Sequence, residues 1–120
     1  MRVPRIRARA RAFSYSLSGL KVAFGHERAF RQELLLAALL IPVALLFAHG
    51  FVEQAVHIGS VAAVLVTELL NSAVEAAVDR VSLEDHEYAK RAKDMASAAV
   101  LVSLLTCALV WILFLADRAL

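Results

Sequence analysis

The stretch MASAAVLVSLLTCALVWILFLA, Met95 to Ala116, runs for 22 residues without a formal charge. Roughly 20 helical residues cross a ~30 Å hydrocarbon core, so this segment alone suffices for one transmembrane helix. Two further apolar blocks lie upstream of it. Leu34 to Ala48 is short at 15 residues and reaches spanning length only if Ala29 to Glu33 continues the helix into the headgroup region, with Arg31 snorkelling to water. Phe51 to Val78 is long, with acids embedded in it. Pro42 predicts a kink or a loosened turn in the first block, and His49-Gly50 predicts a helix stop and a tight reversal. The 120-residue chain as a whole agrees, being 61% hydrophobic and only 20% charged, with a mean hydropathy of +0.69. Soluble domains are ~45–50% apolar and about a quarter charged, and so small a chain has too little interior to hide the excess. The bilayer is therefore the expected solvent. The single cysteine, Cys107, excludes an internal disulfide framework and any multi-cysteine metal site; inside an apolar run it reads as a packed thiol.

Ahead of the first block, Ile6, Ala10, Phe13, Leu17, Leu20 and Phe24 recur every three or four residues, with Arg7, Arg11, Ser14, Ser18 and Lys21 on the other side. This pattern predicts an amphipathic surface helix with a cationic rim suited to an anionic leaflet. An arginine-rich start is also compatible with a secretory signal or a nucleic-acid arm. The first lacks a clean apolar core and cleavage site, and the periodic apolar face of the second favours lipid, so no nucleic-acid partner is expected. Lysine and arginine number eight up to Arg31, four between Arg80 and Lys93, none in the His49 to Gln54 turn and one in the tail, Arg118. The positive-inside rule then predicts a cytoplasmic N-terminus and a periplasmic C-terminus. Trp111 reads as an interfacial anchor or a lipid-facing filler.

The second block carries Glu68, Asn71, Ser72, Glu75 and Asp79, which at 100° per residue share about a third of the helix circumference. A helix from Phe51 to Arg80 would be roughly 45 Å long, longer than the hydrocarbon core, so its cytoplasmic end protrudes and Glu68 is the deepest acid. Burying a carboxylate to that depth without partners costs ~2.5–3.5 kcal/mol, which needs a compensating purpose. Asp79 and Arg80 alone read as a solvated helix end. Glu68 and Glu75, about 10 Å apart along the axis, are suited to a proton-handling and a metal-binding role. Glu27, Arg28, Arg31 and Glu33 before the first span, and Lys90, Arg91, Lys93 and Asp94 before the third, reach the same membrane level. Oxygen-only ligation suggests Mg²⁺ shared with substrate phosphates, with lysine and arginine for the phosphates themselves. His49 and His57 fall at the opposite face and read as interface residues.

ERAFRQE (Glu27 to Glu33), ELLNSAVEAAVDR (Glu68 to Arg80) and HEYAKRAKDMASAAVL (His86 to Leu101) together resemble the prokaryotic diacylglycerol kinase family. The resemblance covers nearly the whole chain, and the pattern Glu-x-x-Asn-[Ser/Thr]-Ala-x-Glu-x-x-x-Asp followed by Ala-Lys-Asp is specific. It implies an all-α integral membrane kinase, a surface helix over about 5–25 and transmembrane helices over 29–48, 52–80 and 91–116, in a bacterial inner membrane. It further implies a homotrimer with active sites shared between subunits, ATP as co-substrate and diacylglycerol as acceptor. Carried over by position, Glu68 is the general base and Asn71 supports it, while Glu27 and Glu75 hold Mg²⁺ against the phosphates. Lys93 and Asp94 contact the nucleotide, and Tyr15 with Glu84, Asp85 and His86 lines the ATP site. Arg31, Glu33 and Ser97 border the lipid. An arginine expected at the ATP falls on Ala8, between Arg7 and Arg9.

Undecaprenol, the acceptor of a close relative of this family, also presents a primary hydroxyl at the same depth, although the wording of the motifs favours the diacylglycerol-specific, Gram-negative type. From another class, a small proton-coupled exporter would place its acid nearer the midplane and show no one-sided cluster of nucleotide-binding charges.

Overall fold

The structure is a computed structural model and describes residues 5–81 and 86–120. Four α-helices follow one another: α1 Arg5–His26, α2 Arg28–Phe47, α3 Gly50–Val81 and α4 Glu87–Ala119. No strand occurs among the described residues. The last three are long and apolar enough to cross a membrane. Their lengths of 20, 32 and 33 residues correspond to ~30, ~48 and ~50 Å, so α3 and α4 overshoot a ~30 Å core. α4 begins four residues earlier and ends three later than the expected 91–116, because Glu87, Lys90 and Arg91 extend it as a charged helix beyond its apolar part.

The joints between helices are short, and each has a local cause. A single residue, Glu27, separates α1 from α2, with extended dihedrals (φ −111°, ψ 106°) at the N-cap position. Its carboxylate makes no capping bond and is left for other work. Arg31 from the first turn of α2 donates to the carbonyls of Phe24 (2.9 Å) and Gly25 (3.3 Å), satisfying two of the orphaned acceptors at the end of α1. The reversal between α2 and α3 turns on Gly50, whose φ of +86° is a conformation open to glycine at little cost. There the His49 N–H donates to Glu53 Oε2 at 2.9 Å. α2 runs through Pro42 without interruption, so the loosened turn expected there does not divide the helix.

α3 is the central element and packs on both α4 and α2. Ala37, Val61, Val64 and Cys107 form the core, with Leu40, Ile41, Leu65 and Trp111 against it. Small and slender residues at these contacts let the helix backbones approach. Hydroxyls tie the two long helices together: Thr67 and Ser103 are 2.8 Å apart, and Ser60 Oγ donates to Cys107 Sγ at 3.6 Å. Cys107 is thus the buried, packed thiol its setting implied. Much of the apolar surface nonetheless faces outward, Leu35, Leu46, Leu105 and Leu113 among it. Exposed in water this surface would drive aggregation; in a bilayer the acyl chains solvate it. α1 lies beside the bundle with Phe13, Leu17 and Phe24 exposed and only Ala23 buried.

At the Gly50 end, Arg118 fastens α4 to the α2–α3 turn. It pairs with Glu53 (2.8 Å), donates to the Phe47 carbonyl (2.9 Å) and touches the His49 ring. His57, expected at an interface, is instead in the core at 5% exposure. Trp111 is half-buried, its ring packed on His57 with centroids 4.9 Å apart.

Candidate active site

The acids of α3 meet acids from two other segments at the end of the bundle away from Gly50. Glu68 is buried at 6% exposure, and its carboxyl is in direct contact with that of Glu33 from the second turn of α2. Glu27, in the break between α1 and α2, and Glu75, two turns along α3, both lie close enough for their charges to act on Glu68. Four carboxyls from three segments therefore converge, although only Glu68 is buried outright and Glu75 is exposed. Two polar atoms in this group are buried without a hydrogen-bond partner: Glu33 Oε2 and Asn71 Oδ1. Buried acceptors are normally satisfied, so both are available to a donor brought by a substrate or ion.

Two cavities flank the cluster. One, of about 270 Å³, lies between α2, α3 and α4, lined by Glu33, Leu36, Leu40, Val64, Leu104 and Trp111. Its walls are almost wholly apolar. The other, of about 670 Å³, lies between α1 and α3, with Glu27, Ser16, Ser18 and Ser72 on its walls beside apolar groups. Glu33 thus lines the first and Glu27 the second.

Further along α3, Asp79 binds Lys93 of α4 at 2.6 Å. Asp79 is therefore an interhelical ion-pair partner that stays 43% exposed, as its reading as a solvated helix end allows. The pair holds the Lys93 ammonium one turn beyond Glu75, at a level ~16 Å along the axis from Glu68. Asp94 is paired with Lys90 at 2.6 Å, one turn back on its own helix. His86 caps α4, accepting from the Tyr88 N–H at 3.1 Å and stacking on the Tyr88 ring, over which the Arg91 guanidinium lies. Tyr15 is exposed on α1 and Ser97 on α4. Of the residues expected at the nucleotide, Tyr15, His86, Lys93 and Asp94 are thus spread over α1 and the first turns of α4 rather than gathered. Glu84 and Asp85 lie outside the described residues. Of those expected at the lipid, Glu33 is in the cluster, while the Arg31 guanidinium is engaged in closing α1. The Glu33–Glu68 contact is what residue patterning missed most. Its only signal is that both acids interrupt apolar helices at the same membrane level.

A three-span helical bundle with a buried acid cluster at one end defines a small polytopic membrane protein, of a class that includes intramembrane enzymes and transporters. Comparison with known proteins decides between them. The sequence matches the prokaryotic diacylglycerol kinase family over residues 14–115. It is 49% identical to the diacylglycerol kinase of Haemophilus influenzae over 97 residues, covering 81% of this chain and 82% of that one. Identity to the Pseudomonas aeruginosa diacylglycerol kinase is 51% over 100 residues (83% and 81% of the two chains), and to that of Escherichia coli 41% over 105 residues (88% and 86%). The chain belongs to the prokaryotic diacylglycerol kinase family: it is a membrane protein and a lipid kinase, not an exporter.

Proposed function

We propose that this protein transfers the γ-phosphoryl group of ATP to the free hydroxyl of diacylglycerol, giving phosphatidic acid and ADP at the cytoplasmic face of the bacterial inner membrane. The observation that carries the proposal is the carboxyl cluster standing between an apolar cavity at Glu33 and a second cavity at Glu27. In this reading an acyl chain occupies the first cavity and presents its hydroxyl at Glu68. Glu68 accepts the hydroxyl proton as the oxygen attacks the γ-phosphorus, and the bond to the bridging oxygen breaks in line, releasing ADP. Such a transfer calls for alignment and charge stabilisation more than for covalent help. Asn71, with its unpartnered Oδ1 on the turn after Glu68, is suited to orienting the acceptor or the base.

The donor set also suits magnesium. It consists of carboxylate oxygens, and no group of three His, Cys, Asp or Glu side chains among the described residues is arranged to hold an ion unaided. Mg²⁺ favours such sites, where one or two carboxylates share it with substrate phosphates. Glu27 and Glu75 would hold it, and it would supply charge neutralisation of the transferring oxygens. Lys93, Asp94 and His86, with Tyr15 and the loop acids Glu84 and Asp85, would serve the nucleotide, and Ser97 with Arg31 would border the lipid.

The lysine and arginine distribution supports a cytoplasmic N-terminus and a periplasmic C-terminus. A homotrimer would cover what one chain leaves open, since Glu75 is exposed and three helices cannot enclose the acidic face. The names of the relatives favour diacylglycerol over undecaprenol as acceptor. Purified protein assayed with ATP, Mg²⁺ and each alcohol in mixed micelles tests this directly. Phosphatidic acid formed at a much higher kcat/KM than undecaprenyl phosphate is the expected result, and the reverse order would overturn the assignment.

A further inference from the structure

His57 is a second buried polar group on α3, and the reaction does not use it. Its Nδ1 lies 2.6 Å from the carbonyl oxygen of Glu53 one turn back. Contact with a carbonyl makes Nδ1 the protonated nitrogen and leaves Nε2 an acceptor, which is buried without a partner. The ring is gripped edge-on by Trp111 (centroids 4.9 Å, interplanar angle 86°) and by Phe114 (4.5 Å, 67°). Trp111 Nε1 is likewise buried without a partner, so ring packing and not a hydrogen bond fixes the indole.

Trp111 also lines the apolar cavity that Glu33 lines. The cavity's two ends can be placed against α3. Glu33 is level with Glu68, and Trp111 is level with His57, a separation of ~16 Å along the helix. Accepting the reading of this cavity as the acyl-chain seat, we propose that His57 is a positioning residue that holds Trp111 across the far end of the seat and so sets the acyl length the enzyme prefers. Edge-to-face partners constrain an indole in a way an aliphatic side chain does not. Without a ring edge at position 57 only Phe114 (centroids 5.9 Å, 74°) is left against the indole, which turns from the end of the cavity, and the seat lengthens. The Glu68 end is untouched, so the effect falls on KM for long chains and not on kcat.

The test is a series of saturated diacylglycerols of increasing chain length, at fixed mole fraction in mixed micelles, with wild type, His57→Leu, His57→Phe and Trp111→Ala. The expected result is that His57→Leu and Trp111→Ala raise the ratio of long-chain to short-chain kcat/KM about threefold or more, through KM. His57→Phe, which keeps a ring edge, retains the wild-type profile. Trp111 is the only tryptophan, so its fluorescence gives a readout independent of turnover. A diacylglycerol brominated near the acyl terminus should quench it in wild type and His57→Phe, and less in His57→Leu. Identical length profiles in all four proteins, or a His57→Phe protein that behaves like His57→Leu, would overturn the proposal while leaving the kinase reading intact. A wild type that phosphorylates no diacylglycerol would remove both. Should His57→Leu fail to fold, Trp111→Ala and the quenching of wild type against His57→Phe still decide the matter.

Discussion

Replacing Glu68 by glutamine should move activity and stability in opposite directions. The Glu68 and Glu33 carboxyls meet away from water, with the charges of Glu27 and Glu75 near them, and Glu33 Oε2 has no donor. Glutamine keeps the shape of the side chain, removes one of the clustered acids and brings an amide with two N–H donors beside the orphaned oxygen. Satisfying one buried acceptor is worth ~1–2 kcal/mol, so Glu68→Gln should unfold at a temperature a few degrees above wild type. The same substitution removes the proton acceptor, and losing a general base costs ~10²–10⁴-fold in turnover. Thermal unfolding in one detergent and phosphatidic acid formation at saturating ATP and lipid measure the two effects on a single preparation. A Glu68→Gln protein with wild-type turnover would refute the base assignment. One that is inactive and destabilised by more than 1 kcal/mol would refute the reasoning about the carboxyl contact, since its inactivity would follow from a damaged fold.

Other substitutions separate the two ends of the molecule. Arg118→Ala removes contacts to Glu53 and the Phe47 carbonyl, which should lower the thermal unfolding temperature. Turnover of the folded protein should not change, because Glu53 lies ~22 Å from Glu68 along α3. Lys93→Met breaks a pair whose side chains are 42% and 43% exposed, worth at most ~1 kcal/mol. Its KM for ATP should nonetheless rise about tenfold or more, the effect of losing one charge-assisted phosphate contact. Glu75→Gln should raise the Mg²⁺ concentration giving half-maximal rate about tenfold, measured by magnesium titration at fixed ATP; an unchanged requirement would exclude Glu75 as a ligand.

Periodicity and charge placement made the helices readable, because each is long compared with a turn and each span must satisfy its backbone internally. The acidic stripe of α3 was readable for the same reason: spacing on one helix fixes which residues share its face. What spacing on one helix cannot give is the rotation of its neighbour. The Glu33–Glu68 contact, the Asp79–Lys93 pair and the burial of His57 against Trp111 all depend on how α2 and α4 are turned about their axes. Those rotations are set by the packing of Ala37, Val61, Val64 and Cys107, residues with no polar signature to reveal them. Arg31 and Arg118 illustrate another limit. Each was legible as a charge, but their use in closing α1 and clasping the α2–α3 turn is a matter of local geometry.

The depth order of the acids gives the proposed reaction its direction. Its two substrates share no solvent, since diacylglycerol stays in the bilayer and ATP in water, and the acceptor hydroxyl can rise only to the level of the ester groups. A proton acceptor for that hydroxyl has to lie within the bundle, and Glu68 is the one acid among the described residues that is buried. Ligands for a phosphate-bound cation have to be reachable from water, as the exposed Glu75 and the half-buried Glu27 at the second cavity are. If both kinds of acid lay at Glu68's depth, ATP would have to enter the hydrocarbon; if both lay at Glu75's, the lipid hydroxyl would have to leave it. In the proposed reaction the two turns of α3 between them, ~10 Å, are the length over which the helix passes from lipid to water, and the transferred phosphoryl group has to cross within that interval.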